Sequence, residues 1–196
     1  KSSLSPGLRV SDAESIKKVI PTVDKVCSMV NYKLELIAGE HTHKSTFSGI
    51  SPEFFDLYNL KIEDGRLFST TNYKDADKVC VIGNSVKARL FPTEEAVGKY
   101  IKCGTIWFQI IGVLEKRFAG ESDMSGLFVD NYDNSVYAPL QTVLKRYNDR
   151  SKITQWMMYD YDEEKVSNRN QLDKIVIQVK ESKDIKATAE AIKKMY

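Results

Sequence analysis

The segment from Thr22 to Ile37 constrains the fold more than any other part of the chain. Its polar and apolar residues alternate, and Val, Met, Tyr and Leu dominate it, a pattern typical of a long β-strand. A polar stretch, AGEHTHKS, separates it from a second apolar stretch that runs through Phe47 and Ile50. Together they predict a β-hairpin whose loop has several residues.

The residues before this hairpin predict a short helix. Ser11 is followed three residues later by Glu14, which is the spacing of a capping box. Apolar residues then recur at helical spacing, so the pattern predicts a helix over residues 12–20, which Pro21 ends.

Strands dominate the middle of the chain. The sequence DKVCVIGNSVKARLF, residues 77–91, predicts a buried strand that breaks at Gly83 and leads into a helix. The sequence YIKCGTIWFQIIGVL, residues 100–114, predicts a hairpin that turns at Gly104. The sequence SVYAPLQTVLKRY, residues 135–147, predicts a short strand followed by a helix.

The C-terminal part returns to paired strand and helix. The sequence DKIVIQV predicts a buried strand of β-branched residues, and a helix capped at Ser182 follows it. An exposed loop is expected over residues 118–134, where Gly, Ser, Asp and Asn are frequent. The two ends of the chain therefore predict helix and strand units, whereas the middle predicts mainly strands.

Composition narrows the class of protein. The 196 residues suffice for one sizeable domain or two small ones, and 42% hydrophobic with 29% charged residues is ordinary for a globular protein. The 29 basic and 27 acidic residues are interspersed, which argues against a nucleic-acid binder. The sequence has no apolar run of about 18 residues, the length that would predict a membrane span. We expect both ends to continue into a longer protein.

The three cysteines, Cys27, Cys80 and Cys103, are too few and too scattered for a disulfide scaffold. Each lies in an apolar stretch, which predicts small buried side chains. A bridge between Cys80 and Cys103 on neighbouring strands stays open as an alternative for an oxidising compartment.

Glycine-rich phosphate motifs are incomplete in this sequence. A dinucleotide fingerprint needs three glycines, and only Gly83 stands at the strand-to-helix junction. The fragment Gly98-Lys99-Tyr100 lacks both the upstream glycine and the hydroxyl of a Walker loop. We therefore interpret Gly83 as a corner between strand and helix and predict no phosphate-binding cofactor.

Catalytic and metal-binding patterns are weak. His41 and His43 are the only histidines, and they are expected to be solvated loop residues, because a zinc site takes three or four protein ligands. The acidic run from Asp160 to Glu164 lacks the glycine and the spacing of an EF-hand loop. The sequence thus predicts no catalytic residue, no metal site and no cofactor.

An aromatic and methionine-rich patch follows residue 155. Such residues are favoured in partner surfaces, and strand alternation would bury about half of them in a core. The candidate partner surface consists of Trp156, Met157, Tyr159 and Tyr161.

Several segments in a fixed order resemble the extracytoplasmic core domain of ABC-transporter permeases of the MacB-like and FtsX-like family. They read FSGISPEFFDLYNLKIEDGRLFS, DKVCVIGNSVKARLF, VGKYIKCGTIWFQIIGVL and SVYAPL, and the match covers residues 45–140. The family pattern runs "l..GR.f", "V.VIG...a..LF", "(I/V)G..i", "f.VIGV" and "vy.P". Matching residues include Gly65, Arg66, Phe68, Gly83, Leu90, Phe91, Gly98, Gly112 and Pro139.

The resemblance implies an α+β fold of two subdomains. A mixed α/β subdomain of the ferredoxin-like, porter type would combine residues 1–45 and 135–196, and a β-rich subdomain of residues 46–134 would be inserted between them. The glycines are assigned to turns and packing, and Arg66 to bonds with nearby backbone carbonyls. Pro92 departs from the family, which often has glycine there, and residues 150–171 look specific to this chain.

The resemblance also implies a function. Such a domain lies between the first two membrane helices of a permease, on the extracytoplasmic (periplasmic) side, and is not an enzyme. Its partners would be the permease's own membrane helices, a cytoplasmic ABC ATPase, a second copy in a homodimer, and an envelope adaptor or outer-membrane channel. ATP-driven movement would export or extract a substrate, or transmit a signal; no nucleic acid takes part.

Two other functional classes are weighed against this one. A free-standing extracytoplasmic binding or adaptor domain would recognise a peptide or an envelope protein through the patch that begins at Trp156. A hydrolase or metalloenzyme is disfavoured, because two histidines are few for either kind of site.

Overall fold

The computed structural model describes residues 8–117, 132–147 and 172–196. The strands are β1 (Val23–Ala38), β2 (His41–Ile50), β3 (Ile62–Gly65), β4 (Val79–Ile82), β5 (Tyr100–Cys103), β6 (Ile106–Leu114), β7 (Ser135–Pro139) and β8 (Lys174–Val179). The helices are α1 (Val10–Val19), α2 (Phe54–Leu57), α3 (Thr70–Lys74), α4 (Asn84–Leu90), α5 (Leu140–Arg146) and α6 (Ile185–Met195). Short 3-10 turns cover Tyr132–Asn134 and Ser182–Asp184.

Strand β1 has different partners along its length. Its last ten residues, from Met29 to Ala38, pair with β2 in consecutive antiparallel register. On the other side, its first half pairs with β8, and Leu36 and Ile37 pair with β5. At about 3.3 Å per residue, its 16 residues span about 50 Å. One continuous strand thus runs through both ends of the fold.

Six strands close into a ring. Around it, β1 pairs with β2, β2 with β7, β7 with β4, β4 with β6, β6 with β5, and β5 again with β1. The β2–β7 and β4–β6 pairs are parallel, and the other four are antiparallel. A closed ring leaves no unpaired edge among its members, so the strands form a small barrel. Strand β3 lies outside the ring, against β6.

The barrel interior is filled by aromatic and aliphatic side chains. Phe47 and Phe108 are fully buried, with their ring centroids 5.3 Å apart, and the Tyr147 ring lies 5.2 Å from that of Phe47. The Tyr147 hydroxyl donates to the carbonyl oxygen of Cys103 at 2.6 Å. Burial of each large side chain contributes about 1.5–3 kcal/mol, so this cluster is a main source of stability.

A second unit forms where the two ends of the described chain meet. Helices α1 and α6 pack with the β1–β8 ribbon around one apolar cluster. Its members are Ala13, Ile16, Ile20, Val23 and Val26, with Ile175, Ile177, Ala191, Ile192 and Met195 packed against them. This group of elements is called the end unit below.

Helix α2 connects the end unit to the barrel. Phe54 and Phe55 are buried against Tyr137 of the barrel strand β7, with ring centroids 5.0 and 5.7 Å away. On the other side, Lys17 of α1 forms an ion pair with Glu53 at 3.8 Å, and Lys25 of β1 bonds Asp56. Hydrogen bonding to Asp56 raises the pKa of Lys25. Exposed ion pairs add little stability, so the aromatic contacts hold α2 in place.

The α+β fold class is confirmed. So are the long first strand, the strand-glycine-helix unit at residues 79–90, and the hairpin that turns at Gly104. All eight described strands belong to one connected sheet. The division into subdomains of residues 1–45 with 135–196, and 46–134, stays a prediction.

Three local predictions of turns and caps are wrong. The last helix begins at Ile185 after Asp184, so Ser182 starts a 3-10 turn and does not cap this helix. The first hairpin turns on Gly39 and Glu40 alone, since β2 already begins at His41, and a φ of +58° lets Gly39 make this tight turn. The α1 helix begins at Val10, so Ser11 is not its cap. Instead, the carboxylate of Asp12 accepts the backbone N–H of Arg9 at 2.8 Å.

Candidate functional site

Two motif glycines face each other across β3 and β6. Gly65 pairs with Gly112, and Gly65 has a φ of +78°. A Cβ atom on Gly65 would lie 2.1 Å from the carbonyl oxygen of Ile111, and one on Gly112 would lie 2.5 Å from that of Arg66. Both positions need glycine because two backbones approach closely.

Arg66 belongs to a polar network that the motif alone did not predict in full. Its guanidinium donates to the carbonyl oxygen of Leu67 and to the side-chain oxygen of Asn72, both at 3.1 Å. Asn72 is buried, and its amide group donates to the carboxylate of Asp77 at 2.9 Å. The same Asn72 oxygen accepts the backbone N–H of Ser69, which caps α3. Asn72 was not predicted from the sequence, although its spacing from Ser69 is that of a helix cap.

Gly83 turns the chain from β4 into α4 at an ordinary φ of −72°. Its N–H donates to the carbonyl oxygen of Ser135 at 2.9 Å, so it is engaged within the fold. A Cβ atom here would lie 2.3 Å from the carbonyl oxygen of Asp133. The requirement for glycine therefore comes from a chain segment about 50 residues away, against which this corner packs.

The other motif residues lie in packing and turn positions. Leu90 and Phe91 are buried in the barrel core at the end of α4. Phe68 packs between the rings of Phe55 and Tyr73, at 5.9 and 5.6 Å. Gly98 occupies a turn at a φ of +89°, and Pro139 precedes the first residue of α5.

The cysteines are free, buried thiols, so the alternative of a Cys80–Cys103 bridge is not observed. The two residues lie on strands that flank β6 on opposite sides, since Cys80 pairs with Ile110 and Cys103 with Ile106. Burial raises the pKa of all three thiols, that of Cys27 to about 11. Thiols held protonated in this way are poor nucleophiles and poor metal ligands.

The histidines lie in strand β2 and not in a loop, which corrects the sequence prediction. His41 is exposed, and His43 is half-buried with its Nε2 bonded to the side-chain oxygen of Asn134. Within the described ranges, no group of three or more His, Cys, Asp or Glu residues could hold a metal ion.

The described surface has open grooves. One groove of about 460 Å³ is lined by Lys33, Glu35 and Lys44, and another of about 450 Å³ by Glu63, Asp64 and Glu94. In the first groove, the hydroxyl of Ser45 is bonded to the backbone carbonyl oxygens of Thr46 and Asn134. The motif residues themselves lie in turns, close backbone contacts and packed positions.

The two described ends of the chain lie side by side. The Tyr196 hydroxyl at the end of α6 donates to the carbonyl oxygen of Asp12 near the start of α1, at 3.3 Å. At the opposite end of these helices, the hydroxyls of Thr22 and Thr188 are 2.6 Å apart. The start of α1 and the end of α6 thus lie on the same side of the end unit. No described helix is both long and apolar enough to cross a membrane.

The predicted partner surface at Trp156, Met157, Tyr159 and Tyr161 lies outside the described residues, as does the acidic run that follows it. The same holds for most of the loop expected over residues 118–134.

Sequence comparison finds relatives among export proteins. The family model described as MacB-like periplasmic core domain matches residues 2–195. The macrolide export ATP-binding/permease protein MacB of Aggregatibacter actinomycetemcomitans is 26% identical over 147 residues, 74% of this chain and 22% of that protein. The pyoverdine export ATP-binding/permease protein PvdT of Pseudomonas aeruginosa is 27% identical over 133 residues, 68% of this chain and 19% of that protein. The chain thus spans about a fifth of the length of these curated relatives.

Solved structures share the fold. The extracellular domain of the noncanonic ABC-type transporter YknZ from Gram-positive bacteria aligns with a TM-score of 0.74 at 17% identity, over 98% of this chain and 83% of that one. The periplasmic region of MacB from Actinobacillus actinomycetemcomitans aligns with a TM-score of 0.72 at 19% identity, over 96% and 72%.

Proposed function

Because the chain belongs to the family of MacB-like periplasmic core domains, we propose that it is the extracytoplasmic domain of an ABC transporter permease. The observation that carries this proposal is the family match over residues 2–195. The domain has no catalytic role of its own. It couples ATP hydrolysis by a cytoplasmic ATPase to export or extraction of a substrate, or to a signal across the membrane.

The geometry of the end unit supports a place between two membrane helices. A domain inserted into another chain needs termini that lie close together. Here Asp12 and Tyr196 are in hydrogen-bond contact. Membrane helices that continued from α1 and α6 would therefore enter the bilayer next to each other.

Strand β1 offers a path for coupling. It forms part of the end unit through β8 and part of the barrel through β2 and β5, without interruption. Helix α2 adds a second connection through Phe54 and Phe55. A shift of α1 and α6 would therefore move the barrel as one body, and the barrel would act on a substrate or on an adaptor or channel partner.

Location is tested in intact cells with the full-length protein. Thr105 is exposed in the turn between β5 and β6, so Thr105→Cys offers an accessible thiol, whereas the three native thiols are buried. Any cysteine of the full-length protein outside these 196 residues is first replaced by serine. We then expect a membrane-impermeant maleimide to label Thr105→Cys without cell lysis and to spare the parent protein. Labelling of Thr105→Cys that needed lysis would refute an extracytoplasmic location.

Coupling is tested with the same variant, spin-labelled and reconstituted with its ATPase in lipid nanodiscs. In a homodimer, two labels at residue 105 report the separation of the two barrels. We expect the distance distribution to differ between nucleotide-free protein and a hydrolysis-deficient ATPase bound to ATP. Identical distributions in both states, with normal ATP turnover by the parent complex, would contradict coupled movement of the domain.

A further inference from the structure

Two large aromatic side chains project from the outer surface of the β5–β6 hairpin. Tyr100 is 58% exposed and Trp107 is 50% exposed. The residues next to them, Ile101 and Phe108, are fully buried in the barrel, so alternation turns Tyr100 and Trp107 outward. In the strand register Tyr100 is opposite Gln109, which places Trp107 one diagonal step away on the same face.

The same outer face continues onto β1. Lys102 is opposite Trp107 in β6 and also opposite Ile37 in β1, so Ile37, Lys102 and Trp107 form one row across three strands. Ile37 and Lys102 are half-buried. The name hairpin face is used below for Ile37, Tyr100, Lys102, Trp107 and Gln109.

The charge at this face is positive. Lys102 belongs to the face, and the exposed Lys99 and Lys78 lie at its border, directly before Tyr100 and before Val79, which pairs with Gln109. Among the described residues, none of Lys78, Lys99 and Lys102 forms an ion pair. The carboxylate on the neighbouring part of β1, Glu35, is opposite Lys44 of β2 in the register.

We propose that the hairpin face binds an acidic segment of a protein partner. Trp and Tyr are the side chains that most often dominate binding energy at protein interfaces, since they bury a large area at a small entropic cost. The lysines would pair with Asp and Glu of the segment, which sets its charge and raises the association rate. Binding at this surface is independent of the transporter assignment.

The first test follows the fluorescence of Trp107 in the full chain. The sequence has two tryptophans, so Trp156→Phe leaves Trp107 as the only reporter. The probe is the random copolymer poly(Glu,Tyr), and its charge-reversed control is poly(Lys,Tyr). We expect poly(Glu,Tyr) to protect Trp107 from acrylamide quenching, with an affinity that falls as salt rises, and poly(Lys,Tyr) to have no effect.

Matched variants then separate this surface from nonspecific attraction. Lys99→Gln with Lys102→Gln should weaken poly(Glu,Tyr) binding about tenfold, whereas Lys186→Gln with Lys193→Gln on α6 removes the same charge elsewhere and should have a much smaller effect. With fluorescein-labelled copolymer, Trp107→Ser should weaken binding about tenfold or more. Val19→Ser, at a residue that is 63% exposed on α1, is its control.

Several results would overturn the proposal. These are absence of binding, equal response to both copolymers, or equal loss in the α6 lysine variants. Tighter binding to heparin or to phosphatidylglycerol vesicles than to poly(Glu,Tyr) would also overturn it, and would assign the face to a polysaccharide or a lipid surface. Far-UV circular dichroism confirms folding of each variant before its binding is compared.

Discussion

Replacement of Gly65 by alanine should destabilise the protein strongly, for two reasons that the structure separates. Gly65 has a φ of +78°, where an L side chain is strained. Its Cβ would also lie 2.1 Å from the carbonyl oxygen of Ile111, nearly 1 Å inside the 3.0 Å limit of real Cβ contacts. Because that oxygen belongs to the backbone of β6, only a shift of β3 relieves the contact.

The two contributions add to a loss that is large for a domain of this size. The backbone strain costs about 1–2 kcal/mol. Overpacking of the strand pair costs about 1–3 kcal/mol more. We therefore expect Gly65→Ala to lower the free energy of unfolding by about 2–5 kcal/mol, a substantial part of the 5–15 kcal/mol that ordinary domains have.

Two other glycines provide matched controls. Gly39 has a φ of +58° and nothing within 4 Å of a built Cβ, so Gly39→Ala measures strain alone, about 1–2 kcal/mol. Gly83 has an ordinary φ and a contact of 2.3 Å, so Gly83→Ala measures the contact alone, about 1–3 kcal/mol. Urea unfolding of the three variants, with the slope m compared throughout, gives the free energies.

The order of the three variants in free energy of unfolding tests this explanation. Gly65→Ala should be the least stable, and its loss should approach the sum of the other two. If Gly65→Ala were within 0.5 kcal/mol of Gly39→Ala, on the order of the usual uncertainty of additivity, the close approach of β3 to β6 would not cost what the structure implies.

Three further predictions concern buried polar groups. Tyr147→Phe leaves the Cys103 carbonyl oxygen without its donor, and urea unfolding should show a loss of about 1–3 kcal/mol; no loss would contradict a buried hydrogen bond there. Thr22→Val and Thr188→Val should each destabilise the protein, because their hydroxyls bond each other. For the same reason, the double variant should lose at least about 0.5 kcal/mol less than the sum of the two single losses. Strictly additive losses would argue against that bond. Burial raises the pKa of Cys27 from 9.0 to about 11, so the unfolded chain loses its proton first and stability falls between those pH values. The free energy of unfolding is measured at pH 8 and at pH 11. Its decrease between the two pH values should be about 2–3 kcal/mol smaller in Cys27→Ala than in the parent. An equal decrease in both proteins would refute the raised pKa of Cys27.

Local patterns predicted most elements well. The alternation from Thr22 to Ile37 predicted β1, and Gly83 and Gly104 marked the strand-to-helix corner and the second hairpin turn, as observed. These elements depend on side-chain period and on glycine, which act over a few residues. The histidine strand was missed because Gly39 allows a tighter turn than the polar residues around it suggested.

Contacts between segments that are distant in the sequence decided how the strands pair and which residues meet. No local pattern indicates that one edge of β1 pairs first with β8 and then with β5. Nor does any local pattern indicate that six strands close into a barrel. Gly83 is recognisable as a corner, but the reason that it must be glycine is the carbonyl oxygen of Asp133. The pairing of Asn72 with Arg66 and Asp77 likewise depends on how α3 folds back.

The sequence by itself determined most of the elements, their order and the family, because these follow from local periodicity and from short motifs. Only the tertiary structure decided which faces are buried. It placed Trp107 and Tyr100 outside the barrel and Phe108 inside it. All three are large aromatic residues in one short hairpin, and what distinguishes them is the side of the closed sheet on which they lie.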